Sequence, residues 1–355
     1  MRQFEWNATE DQLFDATFGD QNLIFDDLAR GRFSRSGSAL TIDSGPYVLR
    51  LNQLSKVNET IWAAKRNRAG AYVLNIRSGG LDYMLDGNTA LDLGEEKAQE
   101  IYLAGSLRLV SPEVLSIVET RLTLAKDAVF FADGSAFTSA RPAAAHLAVE
   151  SLSDYSRISV NDRARFCFYN FREAALATDL FLAEEAEAAV YAGRIRLSGN
   201  HHVADTSRLA LCSGNESGDR AETVTFNRYA ANVSSAAELK FNAKAYAVNR
   251  DIGFNLYDSA AVWLVGAADA LDFGALKYKV AFRFRTAPFG QSVPGKVETL
   301  YLPPLSLENY NAMLAKMCLC IDDKPVAPPD IYANFLVERL PELGNIVRIQ
   351  PKFQK

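Results

Sequence analysis

The sequence predicts a mainly β protein, an antiparallel sandwich of jelly-roll type with several peripheral helices; an α+β arrangement is the alternative. Two observations carry this expectation. From about residue 155 onward, apolar and polar side chains alternate with a period of two, the signature of half-buried strands. The strands follow one another without regular intervening helices, which argues against βαβ units. A third observation bounds the size. The chain has 355 residues and 48% hydrophobic content, enough for a substantial core.

Along the chain, residues 1–50 read as an extended N-terminal arm, with "RGRFSRSGSALTIDSGPYVL" at 30–49 punctuated by turn residues. Residues 51–150 read as a mixed α/β region. In it "AYVLNIRS" (71–78) is a strand and "SPEVLSIVETRLTLAKD" (111–127) the best helix, capped by Ser111 with Pro112 at its first position. "AVFFADGSAF" (128–137) reads as a hairpin around Asp133-Gly134.

Residues 151–300 form the expected antiparallel β domain. Its strands include "RFCFYNF" (165–171), "YAGRIRL" (191–197), "LKFNAKAYAVN" (239–249), "IGFNLY" (252–257) and "LKYKVAFRFR" (276–285). The segment 172–190 fits a helix through its Ala and Glu content, or a hairpin turning at Glu184-Glu185. Residues 301–355 read as a C-terminal helix-strand-helix segment: helix "LENYNAMLAKM", strand "CLCID", loop "KPVAPPD" and helix "IYANFLVERL". No repeat of fixed period is visible.

A net charge of −5 argues against a dedicated nucleic-acid binder. Four cysteines without a CxxC pair fit a reducing compartment. The acidic N-terminus lacks the apolar stretch of a Sec signal and no window is long and apolar enough for a membrane helix, so the expectation is a soluble chain made in the cytoplasm.

Catalytic signatures do not emerge. In "LSGNHHVADTSRLALCSG" (197–214), His201, His202, Asp205, Ser207 and Cys212 crowd together. Adjacent histidines on a strand point to opposite faces, so they do not converge on a metal. No G-x-S-x-G surrounds a serine. The Gly, Asn, Ser and Asp content reads as a polar loop. "DGNTALD" (86–92) departs from a calcium loop at Ala90 and Lys97. Cys318 and Cys320 read as buried, as does Trp263, which sits in an apolar run. No catalytic residue, cofactor or metal is expected.

Charge supplies the partner expectation. Residues 1–27 carry seven acids, among them Asp11, Asp15, Asp20, Asp26 and Asp27, against Arg2 alone. Residues 30–77 carry nine bases, including Arg30, Arg32 and Arg35. A second basic row, Lys277, Lys279, Arg283 and Arg285, lies on one face of 276–285, where it either meets an acidic partner or guards a sheet edge. Together these make self-association the economical reading: a non-enzymatic structural protein that assembles through its arm and sheet edges. Partners are other copies or other structural subunits, with neither nucleic acid nor membrane. In style, though by no diagnostic motif, this β texture with an arm resembles coat and tail proteins of bacterial viruses, so incorporation into a virion is one expectation. A glycan- or ligand-binding β-sandwich and a β-rich hydrolase are the alternatives.

Overall fold

The computed structural model describes residues 2–5, 7, 10–25, 39–53, 72–85, 90–93, 99–110, 114–134, 146–150, 156–212, 221–290 and 293–352. Strands account for 61% of it, and they pair in parallel. This corrects the expected antiparallel sandwich. Nine of the parallel strands close into a barrel-like ring.

The chain forms two compact units, residues 1–180 and 181–355. The strands of the first are β1 (Gln12–Asp15), β2 (Gln21–Phe25), β3 (Leu40–Gln53), β4 (Leu74–Leu85), β5 (Ala90–Leu93), β6 (Gln99–Leu103), β7 (Ser106–Val110), β8 (Val114–Val118), β9 (Thr120–Leu124), β10 (Val129–Asp133), β11 (His146–Glu150), β12 (Arg157–Val160) and β13 (Arg165–Ala177). There follow β14 (Asp179–Leu182), β15 (Glu187–Val203), β16 (Arg208–Cys212), β17 (Ala221–Val233), β18 (Glu238–Val248), β19 (Ile252–Leu256), β20 (Ala261–Gly266), β21 (Val280–Phe284) and β22 (Thr299–Leu302). The chain continues with helix α1 (Leu307–Ala315), β23 (Leu319–Ile321), β24 (Lys324–Pro325), the short helix α2 (Ile331–Asn334), β25 (Phe335–Leu340) and β26 (Ile346–Pro351).

In the first unit three parallel ladders run side by side. The first joins β1, the start of β3, the start of β4, β6, β9 and β12. The next joins β2, the ends of β3 and β4, β7, β10 and β13. The third joins β5, β8, β11 and the end of β13. Each strand therefore bonds to its counterpart in the following coil, and the chain winds as a parallel β-coil. The second unit repeats the arrangement. β15, β16, β18, β20 and β22 form one ladder, and β15, β17, β19, β21 and β23 another. Antiparallel pairing enters only at β22–β26, β23–β24 and β25–β26 among the described residues.

A recurring turn explains how the coil closes. Six segments share an apolar residue, a left-handed residue two positions on, a small residue two further on, and an apolar residue again two beyond. Their left-handed residues are Lys126, Asp162, Glu184, Asp205, Ser235 and Asp258, with φ between 58° and 62°. Their small residues, Ala128, Ala164, Ala186, Ser207, Ala237 and Ala260, are all fully buried. In each turn the amide of the small residue donates to the carbonyl three residues earlier, as from Ala186 to Ala183. Carboxylates then tie one turn to the next. Within the first unit Asp162 accepts from the Lys126 amide; within the second Asp205 accepts from Glu184 N at 2.9 Å and Asp258 from Ser235 N at 3.4 Å. A left-handed position disfavours most side chains but tolerates Asp, which supplies this acceptor.

Inside, like residues stack along the ladders. Phe130 and Phe166 are register partners with ring centroids 5.2 Å apart, and Phe254 lies over Phe282 at 5.3 Å. The coil also needs glycine at one corner. Gly79 has φ +79°, and a Cβ there would lie 2.0 Å from Ser44 Oγ and 2.5 Å from the Tyr47 carbonyl. Polar residues ladder on the outside, where Asn255 Nδ2 donates to Asn232 Oδ1 at 2.8 Å.

Several expected elements change type. The helix expected at 111–127 is β8 and β9, broken at Glu119 (φ 49°); Ser111 and Pro112 lie outside the described residues. The segment 172–190 is neither helix nor hairpin: it is the end of β13, β14, a turn at 183–186 and the start of β15. Of the expected hairpin at 128–137, the first strand is β10, which pairs in parallel with β7 and β13; residues 135–137 lie outside the described residues. The stretch expected as an arm contributes β1, β2 and β3, and buries Phe4, Phe14 and Phe18 against one another. Near the C-terminus, α1 forms as expected, with Ser306 accepting from the Asn309 amide as its N-cap, and Leu319–Ile321 forms a strand. The expected helix at 331–340 shrinks to one turn, α2, and continues as β25.

Candidate functional site

The histidine stretch is ladder, not loop. β15 carries His201 and His202 to its end, a turn spans 204–207, and β16 begins at Arg208. The two rings do face opposite sides. His201 is fully buried, and its Nδ1 lies 3.1 Å from the Tyr229 hydroxyl, while its Nε2 has no hydrogen-bond partner. Burial in this aromatic interior lowers its pKa to about 3, with the neighbouring His202 adding to the effect. His202 lies outside, stacked on Phe181 with centroids 4.6 Å apart, and its Nδ1 is 3.4 Å from Asn232 Nδ2. Ser207 is spent within its turn, its hydroxyl donating to the Ala204 carbonyl. Asp205 holds the Glu184 amide. Cys212 is a half-buried free thiol at the end of β16. The five residues therefore sit in separate local settings and do not converge.

The basic row is divided in two. Lys277 and Lys279 precede β21 and are exposed. Arg283 and Arg285 share the Asp323 carboxylate at 3.5 and 3.0 Å, and Arg285 also donates to Asn255 Oδ1 at 2.8 Å through Nη2. Tyr278, which alternates with this row, is 45% exposed. β21 is flanked by β19 and β23, so the row does not guard a sheet edge.

The acidic cluster is also engaged. Asp11 accepts from Ala39 N and Asp20 from Val48 N, both at 2.9 Å. Asp15 accepts from the Thr17 hydroxyl and amide, bonds that lower its pKa. These carboxylates hold the first strands in place. Asp26, Asp27, Arg30, Arg32 and Arg35 lie outside the described residues, as do Asp86 and Asn88 of the calcium-like stretch.

Cys318 and Cys320 are buried as expected, and desolvation pushes the Cys318 thiol up to about 12. Trp263 is not in the core. It lies on the outer side of β20, its ring stacked on Tyr301 at 6°. Among the described residues no group of histidine, cysteine and carboxylate side chains is placed to hold a metal ion. No described helix is long and apolar enough to cross a membrane.

The surface that sequence reading missed is β25, taken there for helix. Its six residues, "FLVERL", pair with β26 on one side, and among the described residues no strand pairs with the other. Natural edges are blunted by charged side chains, by proline or by a bulge. This one has neither proline nor bulge within Phe335–Leu340, and its charges are Glu338 and Arg339. Leu336 on the strand is 39% exposed, Tyr332 in the preceding turn of helix 59% and Leu343 just beyond 46%. Glu338 is held by Arg348 of the neighbouring strand, and Arg339 by the Leu305 carbonyl. The charges that would repel a second strand are thus tied within their own chain. The signal in the sequence was the β-forming run Phe335-Leu336-Val337.

No protein-family model, curated protein or solved structure matches this chain.

Proposed function

We propose that the chain is a non-enzymatic structural protein that joins to copies of itself by adding strand to strand at β25. The edge of β25 that no described strand pairs with, with Leu336, Tyr332 and Leu343 exposed on and beside it, is the observation that supports this reading. Antiparallel pairing of two such edges is self-complementary, so it closes as a two-fold dimer and does not run on into a fibre. The parallel coils supply a stiff support behind the contact. A coat or tail component of a bacterial virus is one assembly in which such a part would serve.

Deletion of residues 1–27 does not test this cleanly, because it removes β1 and β2 and with them Phe14 from the core. Sedimentation equilibrium on the full chain from 1 to 100 μM is the direct measurement, compared with Leu336→Lys and Leu343→Lys. The wild type is expected as a dimer and each variant as a monomer with unchanged circular dichroism. A monomeric wild type at 100 μM refutes the proposal.

A further inference from the structure

The first unit holds an open cleft of about 360 Å³ lined by Tyr72, Asn75, Arg77, Tyr102, Ala104 and Lys126. We propose that it binds one residue of an acidic saccharide.

Its lining follows from the coil. Asn75 on β4 and Tyr102 on β6 are register partners, with Leu74, Ile76, Ile101 and Leu103 on either side turned into the core. Both therefore face outward. Tyr72, just ahead of β4, brings its ring to 5.6 Å from that of Tyr102 at a tilt of 45°. The cations come from the next corner: Arg77 farther along β4 and Lys126 at its left-handed turn. Ala104 leaves the space open between them. No carboxylate lines the cleft among the described residues.

Three features select the ligand. The Asn75 Oδ1 atom is buried and has no hydrogen-bond partner, so it requires a donor. A sugar hydroxyl is one; a free phosphate or carboxylate without a hydroxyl is not. The two tyrosine rings offer apolar faces for the C–H side of a pyranose. Their 45° tilt leaves no parallel slot in which a flat nucleobase would be sandwiched. The Arg77 and Lys126 charges then suit a carboxylate or sulfate on the sugar ring. The volume lies at the small end of ligand sites, about 300 to 1,000 Å³, which fits one sugar residue with solvent around it.

Titration calorimetry with trigalacturonate, its neutral counterpart trigalactose and a ten-nucleotide oligo-dT tests this on the full chain. Trigalacturonate is expected to bind at least tenfold more tightly than trigalactose. Tyr102→Ala and the pair Arg77→Ala/Lys126→Ala are each expected to weaken it about tenfold, with the urea midpoint of unfolding unchanged. Asn75→Leu fills the buried polar position with an apolar group and is expected to abolish binding while the chain stays folded. Leu336→Lys should bind as the wild type does, which separates this site from self-association. Failure of trigalacturonate to bind, tighter binding of oligo-dT, or equal affinity in the folded variants would overturn the proposal.

Discussion

His201 makes the stability of the second unit depend on pH in a way that can be calculated. Its ring is fully buried, and burial holds its pKa near 3 against 6.5 in an unfolded chain. The depressed value fixes the sign. Below pH 6.5 the unfolded chain takes up a proton that the folded one refuses, so this contribution to stability is complete above 6.5 and drains away as pH falls towards 3. Between pH 7 and pH 5.2 the loss amounts to roughly 2 kcal/mol, and most carboxylates stay ionised over that interval. The control replaces both members of the buried pair, His201→Leu with Tyr229→Phe, so that neither group is stranded. Urea unfolding followed by Trp263 fluorescence, in a Trp6→Phe/Trp62→Phe background, reports on this unit. The parent should lose roughly 2 kcal/mol more than the double variant between the two pH values. Parallel acid limbs, within about 0.5 kcal/mol, would show that His201 is accessible to protons and the reasoning wrong.

Other perturbations probe the corners and the interior. Gly79→Ala combines a left-handed backbone with two sub-contact approaches and should destabilise the first unit by about 2–4 kcal/mol, read from its urea midpoint. Asp205→Ala should cost about 2 kcal/mol, the sum of left-handed strain and the lost bond to the Glu184 amide, whereas Asp205→Gly should cost clearly less because the strain disappears. Equal losses in the two Asp205 variants would mean that backbone strain plays no part. Cys318 and Cys320 should resist a thiol reagent at pH 8 and react once urea unfolds the chain; fast modification of the native protein would contradict their burial.

Much of the pattern was legible and its direction was not. Alternation in the strand expected at 252–257 puts Ile252, Phe254 and Leu256 on one face, and all three are buried, because period two reports which residues share a face. It carries no information about whether the neighbouring strand runs with or against it. The false helix at 111–127 has a specific cause. Leu115 and Ile117 point inward, the kink at Glu119 advances the phase by one residue, and Thr120, Leu122 and Leu124 point inward again. Two strands with a kink thus imitate a helical spacing. At 172–190 the Ala and Glu content favours a helix, but Leu176 and Leu180 are buried on either side of the break between β13 and β14. The repeat has no fixed period in the sequence because its six turns are separated by intervals of unequal length, although the small buried residue two positions past each left-handed one recurs in all of them. Of the candidate sites, the charges were visible, but their occupation by Ala39, Val48 and Asp323 belongs to the fold alone.

The carboxylate bonds between successive turns have a directional consequence. Asp205 secures the amide of Glu184, and Asp258 that of Ser235, so every such corner is locked by a residue synthesised later. On the ribosome, a winding is sealed only after its follower has emerged from the exit tunnel, and assembly advances like a zip whose slider trails the newest tooth. A chain cut short within the second unit should therefore fray back to the last corner that still has its successor.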